Sequence, residues 1–143
     1  MDGAVVKGLD FQNQNYALFR AVMGMNMLIH GGGRLFGDYS GFIEKMTNMF
    51  SNTFLPEFLV KIGANLISPI EFVFGLLLLV GLKTKLSILI LNFNMLMLIS
   101  GVCLLQKWDL AGLQMGYVLY LFFLGKYIES NAYSVDSLIL RER

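Results

Sequence analysis

The sequence predicts an all-α protein: an integral membrane four-helix bundle, antiparallel, with a short amphipathic helix in the first loop. The 143-residue chain is 56% hydrophobic, whereas soluble domains are typically about 45–50% apolar. Charged residues make up only 15% of the chain, and they concentrate between apolar runs that are long enough to cross a bilayer. We therefore expect a single membrane domain over residues 1–143.

The first apolar run, 16–36, carries more polar groups than a helix surrounded by lipid would tolerate. It contains Arg20, His30 and Arg34. A cation inside hydrocarbon is unfavourable by several kcal/mol unless it is paired, hydrated or able to reach the membrane surface. We expect this helix to turn its polar side toward partner helices. Residues 1–15, which precede it, are predicted to form a polar tail or a short surface segment.

The first loop and the second apolar run hold the next predicted elements. Apolar residues recur in the loop at helical spacing, which predicts a short amphipathic helix on the membrane surface. The second run, 56–82, contains Glu71 two residues after Pro69. A proline there should kink the helix or free backbone carbonyls near the carboxylate. The link to the third run is short, so the second and third helices should be antiparallel neighbours.

The third run, 86–105, and the fourth, 111–128, complete the predicted bundle. Trp108 lies between them and fits the aromatic belt at a membrane surface, so we assign it as an interfacial anchor. Small residues four positions apart allow two helices to approach closely. The glycines assigned to helix packing are Gly24, Gly31, Gly75, Gly112 and Gly116.

The distribution of positive charge predicts the orientation. Four spans place both termini on one side of the membrane, and that side would hold seven of the eleven lysines and arginines. Cytoplasmic loops carry the excess of positive charge in membrane proteins, so both termini are expected in the cytoplasm. The seven residues are Lys7, Arg20, Lys83, Lys85, Lys126, Arg141 and Arg143.

Glu71 lies too far from either membrane surface to reach it, so it must be protonated or paired. At about 1.5 Å per residue, Arg20 lies roughly 6 Å deep, Glu71 roughly 15 Å and His30 roughly 21 Å. Arg20 and His30 are both candidate partners, and the sequence leaves the choice between them open. Arg34, near the far surface, is predicted to be an interfacial anchor. The cluster of Arg20, His30 and Glu71 is either a ligand or proton site or a fixed polar contact that specifies the helix arrangement.

Several classes of function are excluded by the composition. A net charge of +1 provides no basic face for nucleic acid. No metal site is predicted, because His30 lacks further ligands at a suitable spacing and Cys103 is the only cysteine. The chain shows no nucleophilic triad, phosphate loop or dinucleotide fingerprint. No cofactor is evident from the residues alone.

The order and spacing of several short motifs resembles the DoxX family. The likeness extends from about residue 18 to residue 138. In the first two runs the motifs are Arg20, Gly24, His30-Gly31, Arg34, Glu71 and Gly75, and further on they are Gly81, Thr84-Lys85, Gly125-Lys126-Tyr127 and 133–138. This resemblance implies a small four-helix protein of the bacterial inner membrane, associated with quinone or redox chemistry. A relative of the family is a subunit of a thiosulfate:quinone oxidoreductase, so the ligand class that the resemblance suggests is a quinone.

Three functions are compatible with the residues and the resemblance. The first is an accessory subunit linked to quinone or redox chemistry, with the buried cluster as its ligand or proton site. The second is a non-catalytic scaffold or assembly subunit, which would bind other membrane or periplasmic subunits. The third is a small transporter, for which four short helices leave little room. Whether the chain is an enzyme stays open, and its other expected partner is the lipid bilayer.

Overall fold

The computed structural model describes residues 2–141, with side chains for residue 8 and residues 10–140. Within this range the chain is helical and contains no strand, which confirms the all-α class. The side chains of Lys7, Arg141 and Arg143, used above to predict orientation, lie outside the described residues. The helices are α1 (Asp2–Leu35), α2 (Tyr39–Met49), α3 (Glu57–Val80), α4 (Thr84–Leu104), α5 (Trp108–Lys126), a 3-10 helix (Ile128–Ser130) and α6 (Val135–Arg141).

Two of the described helices, α3 and α4, are long and apolar enough to cross a membrane. Their bounds agree closely with the predicted runs 56–82 and 86–105. α2 lies in the first loop, where a short helix was expected. Four spans and the membrane bundle stay a prediction.

α1 begins at Asp2, so residues 2–15 are helical rather than the polar tail predicted as one alternative. The other alternative, a short surface segment, stays a prediction. The polar side chains of this stretch have partners near the other end of the chain. Gln12 Nε2 donates to Ser130 Oγ at 3.0 Å, and the hydroxyl of Tyr133 donates to the Asp10 carboxylate. Adding residues to an existing helix requires little free energy compared with starting one, and these contacts attach the extension of α1 to the C-terminal segment.

The contact between α1 and α3 is the closest in the structure, and glycines make it possible. A Cβ atom at Gly24 would lie 2.4 Å from the backbone nitrogen of Leu79. One at Gly31 would lie 2.4 Å from the backbone nitrogen of Phe72. Gly75 on α3 contacts α1 in the same way. Since higher numbers on α1 meet lower numbers on α3, the two helices are antiparallel.

Gly112 and Gly116 are located differently. A Cβ atom added at either would meet nothing within 4 Å. Both glycines are exposed on α5. The prediction that they pack closely against another helix is therefore not met within this chain, because their side of α5 faces outward.

The apolar core lies where α1, α3, α4 and α5 meet. Long, flexible methionines and branched leucines fill the space between these helices, as is usual in closely packed interiors. The largest fully buried apolar side chains are Met23, Met27, Leu78, Leu91, Met95, Leu121 and Leu124.

The turn between α3 and α4 is held by the C-terminal segment, residues 127–141. Gly81 ends α3 with φ 73°, a left-handed conformation that glycine adopts without strain. The carboxylate of Asp136 accepts hydrogen bonds from the backbone N–H groups of Lys83 at 2.7 Å and Thr84 at 2.8 Å. Asp136 also donates its own N–H to the Gly81 carbonyl at 2.9 Å. It thus caps α4 from a distant part of the chain.

Candidate functional site

Arg34 on α1 and Glu71 on α3 form an ion pair, with Nη1 of Arg34 2.6 Å from Oε2 of Glu71. Side chains in a helix lean toward its N-terminus. Because α1 and α3 are antiparallel, Arg34 leans back toward the level of Gly31, and Glu71 leans toward the level of Ser68. The backbones of Gly31 and Ser68 are in contact, so the two charged groups converge there.

The pair connects the interior of the protein to a partly open face. Glu71 is only 2% exposed, whereas the Arg34 side chain is 29% exposed. A buried carboxylate is strongly unfavourable unless a charge or hydrogen-bond donors compensate it. The short, charge-assisted bond from Arg34 supplies that compensation.

Asn94 on α4 completes the contacts of the Glu71 carboxylate. Its Nδ2 lies 3.4 Å from Oε1 of Glu71, and Asn94 is buried. Arg34 and Asn94 therefore each approach a different oxygen of the same carboxylate. Sequence reasoning did not assign Asn94 to this site. One signal in the sequence could have found Asn94. It lies about as far after the α3–α4 turn as Glu71 lies before that turn.

Two more polar atoms lie in the same region and have no hydrogen-bond partner within the described residues. They are Oγ of Ser68, three residues before Glu71, and Oδ1 of Asn94. Both residues are buried. A buried polar atom without a partner is destabilising, so these atoms are available to a water molecule or to a polar group of a ligand. We call Arg34, Ser68, Glu71 and Asn94 the Glu71 cluster.

α2 covers the Arg34 side of the cluster. The guanidinium carbon of Arg34 lies 4.8 Å from the centre of the Phe42 ring, which is within the range of a cation–π contact. The Tyr39 hydroxyl donates to the Asn65 carbonyl at 2.7 Å. Pro69 has no N–H to offer to that carbonyl, which lies four residues earlier. The carbonyl expected to be freed by proline is therefore used to attach α2 to α3.

The prediction that Arg20 pairs with Glu71 is wrong. Arg20 is 4% exposed, and its Nη2 donates to the Tyr133 carbonyl at 2.9 Å. A Cβ atom at Gly81 would overlap its Nη1, which shows how closely the guanidinium packs on the α3–α4 turn. The glycine contacts between α1 and α3 place Arg20 level with Gly81 and well away from Glu71.

The prediction of a buried pair between His30 and Glu71 is also wrong. His30 is exposed, although Gly31 beside it is in contact with α3. Successive residues differ by about 100° around a helix, so the residue before a buried contact can point outward. His30 is four positions from Arg34, and the two side chains are neighbours on the surface of α1.

The two predicted anchors have different surroundings. Arg34 was predicted to reach a membrane surface, but its guanidinium contacts Glu71 and Phe42 instead. Trp108 is exposed as the first residue of α5. Its role as an interfacial anchor stays a prediction.

Comparison with known proteins identifies the family. The family model named DoxX matches residues 16–104. No curated protein and no solved structure matches the chain. The matched residues include α3, α4, most of α1 and the whole Glu71 cluster, and they make up more than half of the chain. The predicted resemblance beyond residue 104 stays a prediction, but over the matched residues it is confirmed: this protein belongs to the DoxX family.

Proposed function

We propose that this DoxX protein resides in the bacterial inner membrane, with α1, α3, α4 and α5 as its four spans. The apolar outer surface supports this placement. Contiguous exposed apolar surface is unfavourable in water but not in lipid. Exposed large apolar side chains occur on all four helices and include Val22, Ile29, Leu66, Val73, Phe93, Leu96, Leu113 and Phe122.

The proposed orientation has both termini in the cytoplasm. Lys83 and Lys85 lie in or beside the α3–α4 turn, and Lys126 ends α5. These lysines are at the same end of the structure as residues 10–13 of α1, because that stretch contacts the C-terminal segment. In the sequence, Lys7, Arg20, Arg141 and Arg143 add to these three lysines and give seven positive residues against four, and this excess favours the cytoplasmic side.

The function proposed is that of a membrane accessory subunit whose Glu71 cluster binds the polar end of an amphipathic ligand of the quinone class or carries a proton. The observation that supports it best is the Arg34–Glu71 pair. Its carboxylate is buried, while its guanidinium is 29% exposed. Ionisable groups at such depth in a membrane protein are disfavoured, and they commonly mark ligand or proton sites.

The residues around Arg34 offer the hydrogen-bond donors and the apolar surface that a quinone headgroup would use. Arg34 and the exposed His30 offer hydrogen-bond donors for a carbonyl oxygen. Phe36 and Phe72 lie edge to face with ring centres 5.4 Å apart, and they offer an apolar wall. A bound quinone would accept electrons and protons. If Arg34 turns to donate to such a ligand, the Glu71 carboxylate loses its counter-charge and becomes able to bind a proton.

Glu71→Gln tests this proposal, because it keeps the side-chain shape and removes the charge. Protein purified in mild detergent is titrated with decylubiquinone, and bound quinone is quantified by mass spectrometry. We expect binding to weaken about tenfold, because the variant loses the charge that holds the Arg34 guanidinium in place to donate to the quinone. Glu57→Gln, which removes an exposed carboxylate paired with Lys61 at 2.6 Å, is the matched control and should bind normally.

The proposal fails if the wild-type chain does not bind the quinone, or if Glu71→Gln binds it equally well. Arg34→Lys provides a second variant in case Glu71→Gln does not fold. It keeps a positive charge near Glu71 but loses the guanidinium geometry. It should fold and bind the quinone more weakly.

A scaffold or assembly subunit is the second candidate. The observation that favours it is that Arg34 and Asn94, from two other helices, contact both oxygens of Glu71. Such a polar network specifies how helices pack, independently of any ligand. Purification in a gentle detergent followed by native mass spectrometry tests this function. A stable complex with another membrane or periplasmic protein would support it, and a monomer without partners would contradict it.

A further inference from the structure

A cleft of about 780 Å³ lies between the α3–α4 turn and the C-terminal segment, at the opposite end of the bundle from α2. One wall is formed by the turn and the start of α4, and the other by the 3-10 helix and α6. The residues that matter for its chemistry are Lys83, Lys85, Leu86, Glu129, Ile139 and Leu140.

Hydrogen bonds join the two walls of the cleft. Asp136 accepts from the backbone N–H groups of Lys83 and Thr84. Asn131 Nδ2 donates to Thr84 Oγ1 at 3.0 Å. These hydrogen bonds fix the position of the C-terminal segment against the α3–α4 turn, so the two walls of the cleft are held together by the fold.

Some of the charged groups that line the cleft are already hydrogen-bonded within the protein, and others are not. The Asp136 carboxylate is occupied by two backbone N–H groups. The side chains of Lys83, Lys85 and Glu129 are exposed, and none has a salt bridge within the part of the chain that the structure describes. The cleft thus presents two cations and one anion to a ligand.

The remaining lining is apolar. Leu86 on α4 is exposed, as are Ile139 and Leu140 on α6. Leu86 continues into the outer surface of α4, where Leu89 and Phe93 are also exposed. A ligand that fits this cleft needs a headgroup with one positive and one negative charge. It also needs an apolar chain that can lie along α4.

We propose that the cleft binds a phospholipid that carries both a phosphate and a primary ammonium group, as phosphatidylethanolamine does. Lys83 and Lys85 would bind the phosphate, Glu129 would bind the ammonium, and the acyl chains would follow Leu86. Glu129 favours this lipid over an anionic one, because a glycerol headgroup offers it no positive charge. The inference rests on the proposed membrane location but not on any role of the Glu71 cluster.

Native mass spectrometry of the full chain in detergent tests the inference. The delipidated protein is offered phosphatidylethanolamine, phosphatidylglycerol or phosphatidylcholine with identical acyl chains. We expect ethanolamine lipid to bind about threefold to fivefold more tightly than phosphatidylglycerol, the range of an exposed ion pair. It should also bind more tightly than phosphatidylcholine, whose quaternary ammonium has no N–H to donate to Glu129. Lys83→Gln/Lys85→Gln should weaken binding of all three lipids, by on the order of twentyfold for the ethanolamine lipid, since each lysine contributes roughly fivefold near a phosphate.

Two further variants make the result specific. Glu129→Gln should remove the preference for ethanolamine and should not weaken binding of phosphatidylglycerol, which offers Glu129 no positive charge and is repelled by its carboxylate. Lys45→Gln/Lys107→Gln makes the same change in charge outside the cleft and should alter nothing. Soluble phosphoethanolamine, which lacks acyl chains, should compete poorly with the lipid.

The inference is overturned if phosphatidylglycerol binds as tightly as the ethanolamine lipid, or if binding survives in Lys83→Gln/Lys85→Gln. A helical circular dichroism spectrum for each variant shows that the fold is retained. A chain that stays in solution without detergent would refute the membrane location itself. A chain that requires detergent but retains no ethanolamine lipid would refute only the cleft.

Discussion

Arg34 and Glu71 lie 37 positions apart in the sequence, and their side chains meet at 2.6 Å. Two features of the helices bring them together. Glycines let the backbones of α1 and α3 touch, and antiparallel packing makes the two side chains lean toward the same level. The position of the ion pair thus follows from the glycine contacts.

Replacing one member of the Arg34–Glu71 ion pair should destabilise the fold more than replacing both members. Arg34→Gln leaves the buried carboxylate without its counter-charge, so we expect a loss of about 3 kcal/mol, near the lower end for a buried pair because Arg34 is partly exposed. Adding Glu71→Gln should recover a substantial part of that loss. Thermal unfolding in detergent measures both, and a double variant less stable than Arg34→Gln would contradict the prediction.

Gly31→Ala should separate α1 from α3. Its Cβ would lie 2.4 Å from the backbone nitrogen of Phe72, and backbone cannot move aside as a flexible side chain can. We expect destabilisation of about 2 kcal/mol or more. Gly33→Ala is the matched control, because nothing lies within 4 Å of its added Cβ. It should be neutral or stabilising by about 1 kcal/mol, and equal unfolding temperatures for the two variants would refute the close contact.

Gly81→Ala should disturb the α3–α4 turn for two reasons. The left-handed backbone at this position disfavours any residue with a Cβ by about 1–2 kcal/mol, and the new methyl group would overlap the Arg20 guanidinium. We expect a lower unfolding temperature and faster hydrogen exchange in residues 133–137. Gly125→Ala, whose Cβ would have its nearest neighbour at 3.9 Å, should show neither change.

The attachment of α2 can be tested by a double-mutant cycle. Tyr39→Phe removes the hydroxyl that donates to the Asn65 carbonyl, and we expect a loss of about 0.5–1 kcal/mol. Pro69→Ala supplies a backbone N–H for the same carbonyl. In that background Tyr39→Phe should have almost no effect on the unfolding temperature, whereas an undiminished effect would show that Pro69 does not create the acceptor.

The attachment of the C-terminal segment should weaken in acid. Burial raises the pKa of Asp136, but hydrogen bonds from Thr84 and Lys83 and the charge of Arg20 outweigh it, and the pKa lies below its usual value of 3.8. A carboxylate with a lowered pKa in the folded state stabilises the fold above the usual pKa, and that contribution is lost as the pH falls through the lowered value.

Hydrogen exchange of the amides of Lys83 and Thr84, compared between pH 5 and pH 3, measures this effect. Protection should decrease toward pH 3 in the wild-type chain after correction for intrinsic rates. Asp136→Asn should show weaker protection at pH 5 and little further change. A pH dependence that persists in Asp136→Asn would assign the effect to another group.

Sequence reasoning located α3 and α4 well because their apolar runs are long and end at clear signals. Pro56 precedes α3 and Gly81 follows it, and each residue type favours that end of a helix. The helical form of residues 10–15 was missed because the contacts of Asp10 and Gln12 are with residues more than a hundred positions away.

The partner of Glu71 could not be predicted from depth alone. Gly31, beside His30, contacts Phe72, beside Glu71, so the level assigned to His30 was close to correct. The choice of His30 as the partner was wrong because its side chain points outward, whereas the Arg34 side chain extends back by about one turn toward Glu71. Helical spacing does place Gly31 and Arg34 on one face of α1, but the register of that face against α3 is set by tertiary contact, which periodicity within one helix does not reveal.

The cap that Asp136 places on α4 links parts of the chain that are made at different times. Lys83 and Thr84 precede Asp136 by 53 and 52 residues. Because the ribosome synthesises the chain from its N-terminus, the first amides of α4 lack this acceptor until α5 has emerged. The turn between α3 and α4 therefore gains this cap only after residue 136 has been made.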